Sequence, residues 1–297
     1  ANQTQDDKND SIRLNTRYER KDKDLSDKIR LSVERQTETQ LTRSLQNTIY
    51  TDETINEYGL AYDGMRKLDP DRQIKFGVDA RSNNLDSNVS DSLDEQRYAL
   101  YAEGSWRFTD RQTITLGARQ EWLNRSGLVD YQDQHLSPVL AYRFDLTEQW
   151  SIQTNLSQAF NSPKTDRLIP NVTVSTDSDA GSLNNPDRGG NPNLKPEESF
   201  SYEIGVDQKL NYNINLGLSV YRNKVDNLIS YQAGKLVNVN KATFTGGEAS
   251  FKWQQDELFL STTYAYVQAK DDETKNYWDR EITTGRLKRT FIDLFFY

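Results

Sequence analysis

The stretch that decides the fold is Tyr98-Ala99-Leu100-Tyr101-Ala102-Glu103-Gly104-Ser105-Trp106-Arg107-Phe108, followed by Thr109-Asp110-Arg111 and then Gln112 to Trp122. In the first arm Tyr98, Leu100, Ala102, Gly104, Trp106 and Phe108 fall on one face. Ala99, Tyr101, Glu103, Ser105 and Arg107 fall on the other. In the second arm Ile114, Leu116, Ala118 and Trp122 oppose Thr113, Thr115, Arg119 and Glu121. Alternation with a period of two marks a strand with one apolar face. Two such arms around a three-residue polar turn read as an antiparallel hairpin.

The same pattern recurs outward from this hairpin. Ile12, Leu14, Thr16 and Tyr18 alternate with Arg13, Asn15, Arg17 and Glu19, and Ile74, Phe76, Val78 and Ala80 with Lys75, Gly77, Asp79 and Arg81. Leu136, Pro138, Leu140, Tyr142 and Phe144 repeat it, as do Phe200, Tyr202, Ile204 and Val206, and then Tyr212, Ile214, Leu216, Leu218 and Val220. The alternating segments run to about ten residues, the length of a transmembrane β-strand. Short connections (109–111, 145–149, 255–257) alternate with long polar stretches such as Asn161 to Pro196 and Lys270 to Arg289. Aromatics gather at strand ends, at Trp106, Phe108, Trp122, Phe144, Trp150, Phe160 and Trp253. One-sided long loops and an interfacial aromatic girdle belong to outer-membrane barrels. A soluble sandwich with one wet face shares the alternation but has shorter strands, usually about five or six residues.

The polar face includes Arg13, Arg30, Glu34, Lys75, Glu103, Arg107, Arg119, Arg143, Glu203, Glu248 and Lys252. Each would cost a few kcal/mol at the bilayer midplane, so these groups are expected to face an enclosed polar lumen. The expected fold is therefore all-β, an antiparallel transmembrane β-barrel. About thirteen strands are countable, the last from Thr290 to Tyr297. Single-chain bacterial barrels have even numbers, so residues 1–297 are expected to form a partial barrel with long extracellular loops.

Composition narrows the function classes. The apolar share is 34%, below the roughly 45–50% of a globular domain. Yet 16 Tyr, 11 Phe and 5 Trp argue against a disordered chain, which is poor in aromatics. A filled or watery barrel reconciles the two, because only alternate residues need be apolar. There is no cysteine and one histidine, so no disulfide, thiolate or poly-histidine metal site is available. A net charge of −8 gives no reason to expect nucleic-acid binding. No run of roughly twenty apolar residues is read, and no signal peptide is visible in the polar opening Ala1-Asn2-Gln3-Thr4. His135, within Asp130 to His135, lacks a nucleophile and an orienting acid and reads as a solvated loop residue. Asp177, Asp179 and Asp187 offer oxygen ligands but lack EF-hand spacing, so they read as a solvated acidic loop. Asn171-Val172-Thr173 fits a glycosylation acceptor, which a bacterial setting makes moot. No cofactor, metal or catalytic residue is expected, and the chain does not read as an enzyme.

Gly190-Asn191-Pro192-Asn193-Leu194-Lys195-Pro196-Glu197-Glu198-Ser199, with Glu203 and Gly205 following, resembles the signature G-N-P-x-L-K-P-E-x-S-x-x-x-E-x-G of TonB-dependent outer-membrane receptors. Similar segments follow the family order from Tyr98 to Lys270, among them Asn155 to Pro163, Tyr221 to Ile229 and Gly246-Gly247-Glu248. The resemblance implies the middle and later part of a barrel of about twenty-two strands, in the bacterial outer membrane. The N-terminal plug and its TonB-contacting segment are not found in these residues. It further implies energy-dependent import of a scarce nutrient, foremost a ferric siderophore, with TonB, outer-membrane lipid and lipopolysaccharide as partners. Haem, cobalamin, copper and oligosaccharides are the other cargoes to weigh, and a passive porin is the rival transport class. The expected ligand contacts are Arg167, Arg188, Tyr231, Tyr277, Trp278 and Arg280, cations and flat rings suited to anionic aromatic chelates. In the signature, Pro192 and Pro196 are expected to hold the chain extended, with Lys195 and Glu197 joined by a local ion pair.

Overall fold

The computed structural model describes residues 4–43, 48–88, 91–163, 167–168, 191–211, 213–232, 235–255, 258–272 and 287–296. They form thirteen strands: β1 (Thr4–Lys21), β2 (Leu25–Arg43), β3 (Thr48–Asp69), β4 (Arg72–Ser87), β5 (Leu93–Thr109), β6 (Gln112–Gly127), β7 (Tyr131–Asp145), β8 (Trp150–Asn161), β9 (Glu197–Lys209), β10 (Ile214–Gln232), β11 (Lys235–Gln255), β12 (Leu258–Asp271) and β13 (Leu287–Phe296). Every strand pairs antiparallel with its sequence neighbour in one sheet, with β1 and β13 at its edges. This is the up-and-down meander that the alternating hairpins predict.

Register follows the hydrophobic pattern. Across β5 and β6, Tyr98 faces Trp122, Gly104 faces Leu116 and Trp106 faces Ile114, while Tyr101 faces Arg119. A slip by one residue would exchange the two faces entirely. The short turns have chemical reasons to be short. Asp69 Oδ1 accepts the Asp71 amide at 2.9 Å. Thr147 Oγ1 accepts the amides of Gln149 and Trp150, and Asn211 Oδ1 those of Asn213 and Ile214. Side chains that satisfy local amides in this way stabilise tight reversals.

The apolar face has no protein over it. Leu100, Leu116 and Leu218 are each more than half exposed, and Trp106, Phe108 and Trp150 join them near the short-turn ends. A sandwich would bury these residues between two sheets; here no second sheet exists among the described residues. The opposite face carries paired charges. Arg13 meets Glu34 through two bonds of 2.7 and 2.5 Å. Arg30 and the Tyr101 hydroxyl both reach Asp63 at 2.8 Å, and Lys75 reaches Glu103 at 3.1 Å.

Two expectations change. Long connections separate β8 from β9 and β12 from β13, but several other reversals opposite the short turns are brief. β10 and β11 are separated only by residues 233 and 234. The asymmetry lies in strand length instead: β3 has 22 residues, ~70 Å at about 3.3 Å per residue, against an apolar band of about 25 Å. The strands extend far beyond the lipid, where both faces can be polar and period-two alternation fades. His135 is therefore in β7, opposite Glu121 of β6. It is half-buried, with its ring stacked 4.8 Å from that of Phe160. The β7–β8 ladder ends at Val139–Ser157, next to Pro138, which has no amide to donate.

Candidate functional site

At the long-connection end of the lumen face, leucines replace charges. Leu85 of β4 and Leu93 of β5 stand on the inward side, and Leu168 and Leu194 arrive from the two ends of the β8–β9 connection. All four are no more than 2% exposed. Ile55, Leu128, Val129, Ile229 and Leu236 pack around them. This small core joins the upper ends of β3–β5 to the tip of the β10–β11 hairpin. It fixes both ends of the β8–β9 connection over the inner wall.

Beneath it lies a buried ion pair. Arg125 of β6 donates from Nε to Glu95 of β5 at 2.7 Å, with side-chain exposures of 1% and 4%. Its Nη2 donates to the Ser162 hydroxyl and, at 3.0 Å, to the Pro163 carbonyl, just past the end of β8. Its guanidinium also lies 5.8 Å from the centre of the Tyr131 ring. Arg97 holds the other Glu95 oxygen at 3.0 Å. A buried charge needs this complete set of partners. Nearby, burial and a 2.7 Å bond to the Asp133 carboxylate push the Tyr131 phenol up from its ordinary pKa. The phenol thus stays protonated and keeps donating.

The signature segment has a structural role here. The Asn191 amide donates to the Arg167 carbonyl at 2.9 Å, and its side-chain nitrogen to the Leu236 carbonyl at 2.9 Å. Asn238 of β11 grips the Lys195 backbone twice: its Oδ1 accepts the Lys195 amide and its Nδ2 donates to the Lys195 carbonyl. The same Nδ2 reaches the carbonyl of Asn227 at 2.7 Å. Asn227 is the one described non-glycine residue with positive φ, at 55°, a conformation Asn tolerates better than most residues. The expected Lys195–Glu197 ion pair does not occur among the described residues. Glu197 instead accepts from Asn161 Nδ2 and from the Ile229 amide, each at 2.8 Å. An exposed ammonium gains little from a carboxylate, whereas the amide of Ile229 would otherwise lack an acceptor. Pro192 is half-buried, and Pro196 and Gly205 are buried; Glu203 lies on the inner wall, opposite Tyr221.

Of the expected ligand contacts, Arg167 is exposed beside this core and Tyr231 is half-buried on the inner face of β10. Arg188, Tyr277, Trp278, Arg280 and signature Gly190 lie outside the described residues, as do Asp177, Asp179, Asp187 and Asn171. Sequence reading missed Arg125, Glu95 and Asn238. Leu85 and Leu93 did carry a signal, since they are apolar at positions whose parity assigns them to the charged face.

Lower on the inner wall the arc changes character. From β8 to β12 the inward residues are mostly small and uncharged: Ser151, Asn155, Ser157, Ser201, Gly205, Gly217, Ser219, Ser250 and Ser261. A cavity of about 870 Å³ opens at the short-turn end between Arg143, Asp145, Asp207 and Lys252.

Comparison with known proteins accords with this architecture. The family described as "TonB dependent receptor-like, beta-barrel" matches residues 1–290. The iron-regulated outer membrane virulence protein of Vibrio cholerae is 20% identical over 264 residues, covering 81% of this chain and 37% of that protein. The vitamin B12 transporter BtuB of Photobacterium profundum is 26% identical over 239 residues, covering 69% and 38%. The crystal structure of the ferric enterobactin receptor of Pseudomonas aeruginosa superposes with a TM-score of 0.68 at 17% identity, covering 91% of this chain and 45% of that one. The chain thus spans less than half the length of each of these three proteins. With its lipid-ready outer face, ion-paired inner face and signature clamped at the mouth, it is an arc of transmembrane β-barrel that belongs to the TonB-dependent receptor family of the bacterial outer membrane.

Proposed function

We propose that this arc forms the wall and part of the ligand-capturing mouth of an importer that carries a scarce nutrient across the outer membrane, with a ferric siderophore as the cargo. The observation that carries this reading is the state of the inner wall. On β2–β7 most lumen charges are ion-paired. On β9–β11 the carboxylates of Glu203, Asp207 and Glu248 form no ion pair among the described residues. They stand on a surface of small side chains. A close-fitting protein body with basic groups would neutralise such a wall, whereas an open channel would leave it to water. An N-terminal plug of the family's kind would be that body, and TonB would supply the energy through it. At the mouth, Arg167 and Tyr231 would meet the cargo beside the leucine core, with Arg188, Tyr277, Trp278 and Arg280 as further contacts. Cations and flat rings suit anionic, aromatic chelates. The names of the relatives keep cobalamin as the second cargo to test.

The test uses the full-length protein in cells that lack other siderophore receptors. Uptake of radiolabelled ferric catecholate should saturate and should stop when TonB is deleted. TonB-independent uptake, or high ion conductance of the reconstituted full-length protein, would favour a passive channel and defeat the reading. Saturable TonB-dependent uptake of cobalamin without any iron chelate would overturn the cargo alone.

A further inference from the structure

β7 and β8 separate before either strand ends. Their ladder stops at Val139–Ser157, yet β7 runs on to Tyr131 along β6, and β8 runs on to Asn161 along β9. Beyond the last pair Pro138 has no amide to donate, and no backbone bond joins the two strands among the described residues. A pair of rings bridges the seam instead: His135 of β7 and Phe160 of β8, with centres 4.8 Å apart and planes 19° from parallel. Just past Phe160 come Ser162 and Pro163, the two groups that Arg125 holds. The seam therefore lies beside the root of the β8–β9 connection.

His135 is the one histidine of the chain, and its Nε2 is buried with no hydrogen-bond partner among the described residues. Imidazole is the side chain that ordinarily changes charge between about pH 5 and 8, and the charged ring carries a donor on both nitrogens. In the stack one of those donors would be sealed in without an acceptor, which buried charges do not tolerate. The neighbours are already engaged. On β6, Glu121 stands directly opposite, but it accepts from Arg119 at 3.2 Å and has Arg97 of β5 3.7 Å away. Arg125 and Glu95 hold each other. On β7 itself, Asp133 accepts from the Tyr131 hydroxyl. β8 carries no charged residue. On β9, Glu197 accepts from Asn161 and from the Ile229 amide. Glu198, in register with Phe160, forms no ion pair among the described residues. A charged ring gains such a carboxylate only by moving, since Nε2 meets none where it stands.

We propose that His135 is a pH-sensitive latch on the β7–β8 seam. Neutral, it stacks on Phe160 and closes the upper wall; protonated, it leaves the stack, and the top of β8 separates from β7 together with the root of the long connection. Acid outside the cell thus loosens this side of the mouth. The proposal rests on the barrel reading and its orientation, and is independent of the cargo.

The experiment places nitroxide labels at Gln134 and Gln158, on either side of the seam, in the full-length protein in liposomes. Spin–spin broadening then reports the closed seam. In the protein with His135 intact, broadening should be strong at pH 8 and weaken by pH 5, as the closed-to-open ratio falls on the order of tenfold, within what a buried donor without an acceptor costs. The His135 imidazole signal in NMR, assigned by its absence from His135→Phe, should titrate over the same pH range. His135→Phe keeps a ring on Phe160 and drops the charge, so its seam should stay closed at both pH values. His135→Gln, a second variant that does not titrate, should show no pH dependence. Broadening that ignores pH with His135 intact overturns the latch. So does the same pH response in either variant, which would assign the change to Asp133 or Glu198. The labels are read without cargo or TonB, so neither result bears on the import reading.

Discussion

Replacing Arg125 with Met should loosen the mouth of the barrel while leaving its wall intact. Arg125 is 1% exposed and holds Glu95, the Ser162 hydroxyl and the Pro163 carbonyl at once. Removing it leaves the Glu95 carboxylate, 4% exposed, with Arg97 alone as its ionic partner at 3.0 Å. Breaking a buried pair by deleting one partner costs about 3–5 kcal/mol. The retained Arg97 contact places this case near ~3 kcal/mol, about a hundredfold in a local opening equilibrium at roughly 1.4 kcal/mol per decade. Hydrogen exchange on the full-length protein in detergent would read this directly. Amides around Asn161 and Ser162 and at the upper ends of β5 and β6 should lose ~10²-fold protection, while the membrane-level parts of β5 and β6 keep theirs. The double variant Glu95→Gln/Arg125→Met removes the stranded charge and should recover most of the loss. Unchanged protection in Arg125→Met, or a double variant as weak as the single one, would refute the reasoning.

Leu194→Ala removes a buried side chain from the leucine core and should cost about 2–5 kcal/mol, seen as lost exchange protection of the residue 194 amide, which donates to the Asn191 carbonyl; wild-type protection there would contradict it. Asn238→Ala strips the Lys195 and Asn227 carbonyls and the Lys195 amide of their partner, for about 1–3 kcal/mol, and should expose the signature to exchange before any strand opens. Glu53, on the part of β3 beyond the lipid, has its pKa raised by burial and by Glu38, with the Ser87 hydroxyl opposing. A raised carboxyl pKa contributes stability below the ordinary value and loses it as pH rises through the folded one. Glu53→Gln should therefore unfold at higher temperature than wild type at pH 7 and at the same temperature near pH 4; the reverse order would be decisive against the assignment.

Much of the fold was legible because the bilayer imposes it. Wherever a strand meets lipid, as at Leu100 or Leu116, alternate residues must be apolar, and the period survives in the sequence. Above the lipid that constraint lapses. The start of β7 reads as loop, with His135 placed in it, because a hairpin wetted on both faces has no period to detect. The mouth was harder for another reason. Leu85, Leu93 and Leu194 lie 109 positions apart at their extremes, and no local pattern says that they meet. Asn238 is an ordinary strand asparagine until the register brings Lys195 beside it. Lys195 and Glu197 were read as each other's partners because adjacency in sequence was the only geometry available.

The central claim is that even-numbered residues of β6 and β10 touch acyl chains and odd-numbered ones an enclosed polar space. Spin labels at Leu116, Leu218, Thr115 and Ser219 of the full-length protein in liposomes measure this through accessibility to oxygen and to a water-soluble nickel chelate. Positions 116 and 218 should be open to oxygen and closed to the chelate, and 115 and 219 should not share that lipid signature. Four labels with one common profile, or 116 and 218 shielded from oxygen as in a packed core, would contradict the account.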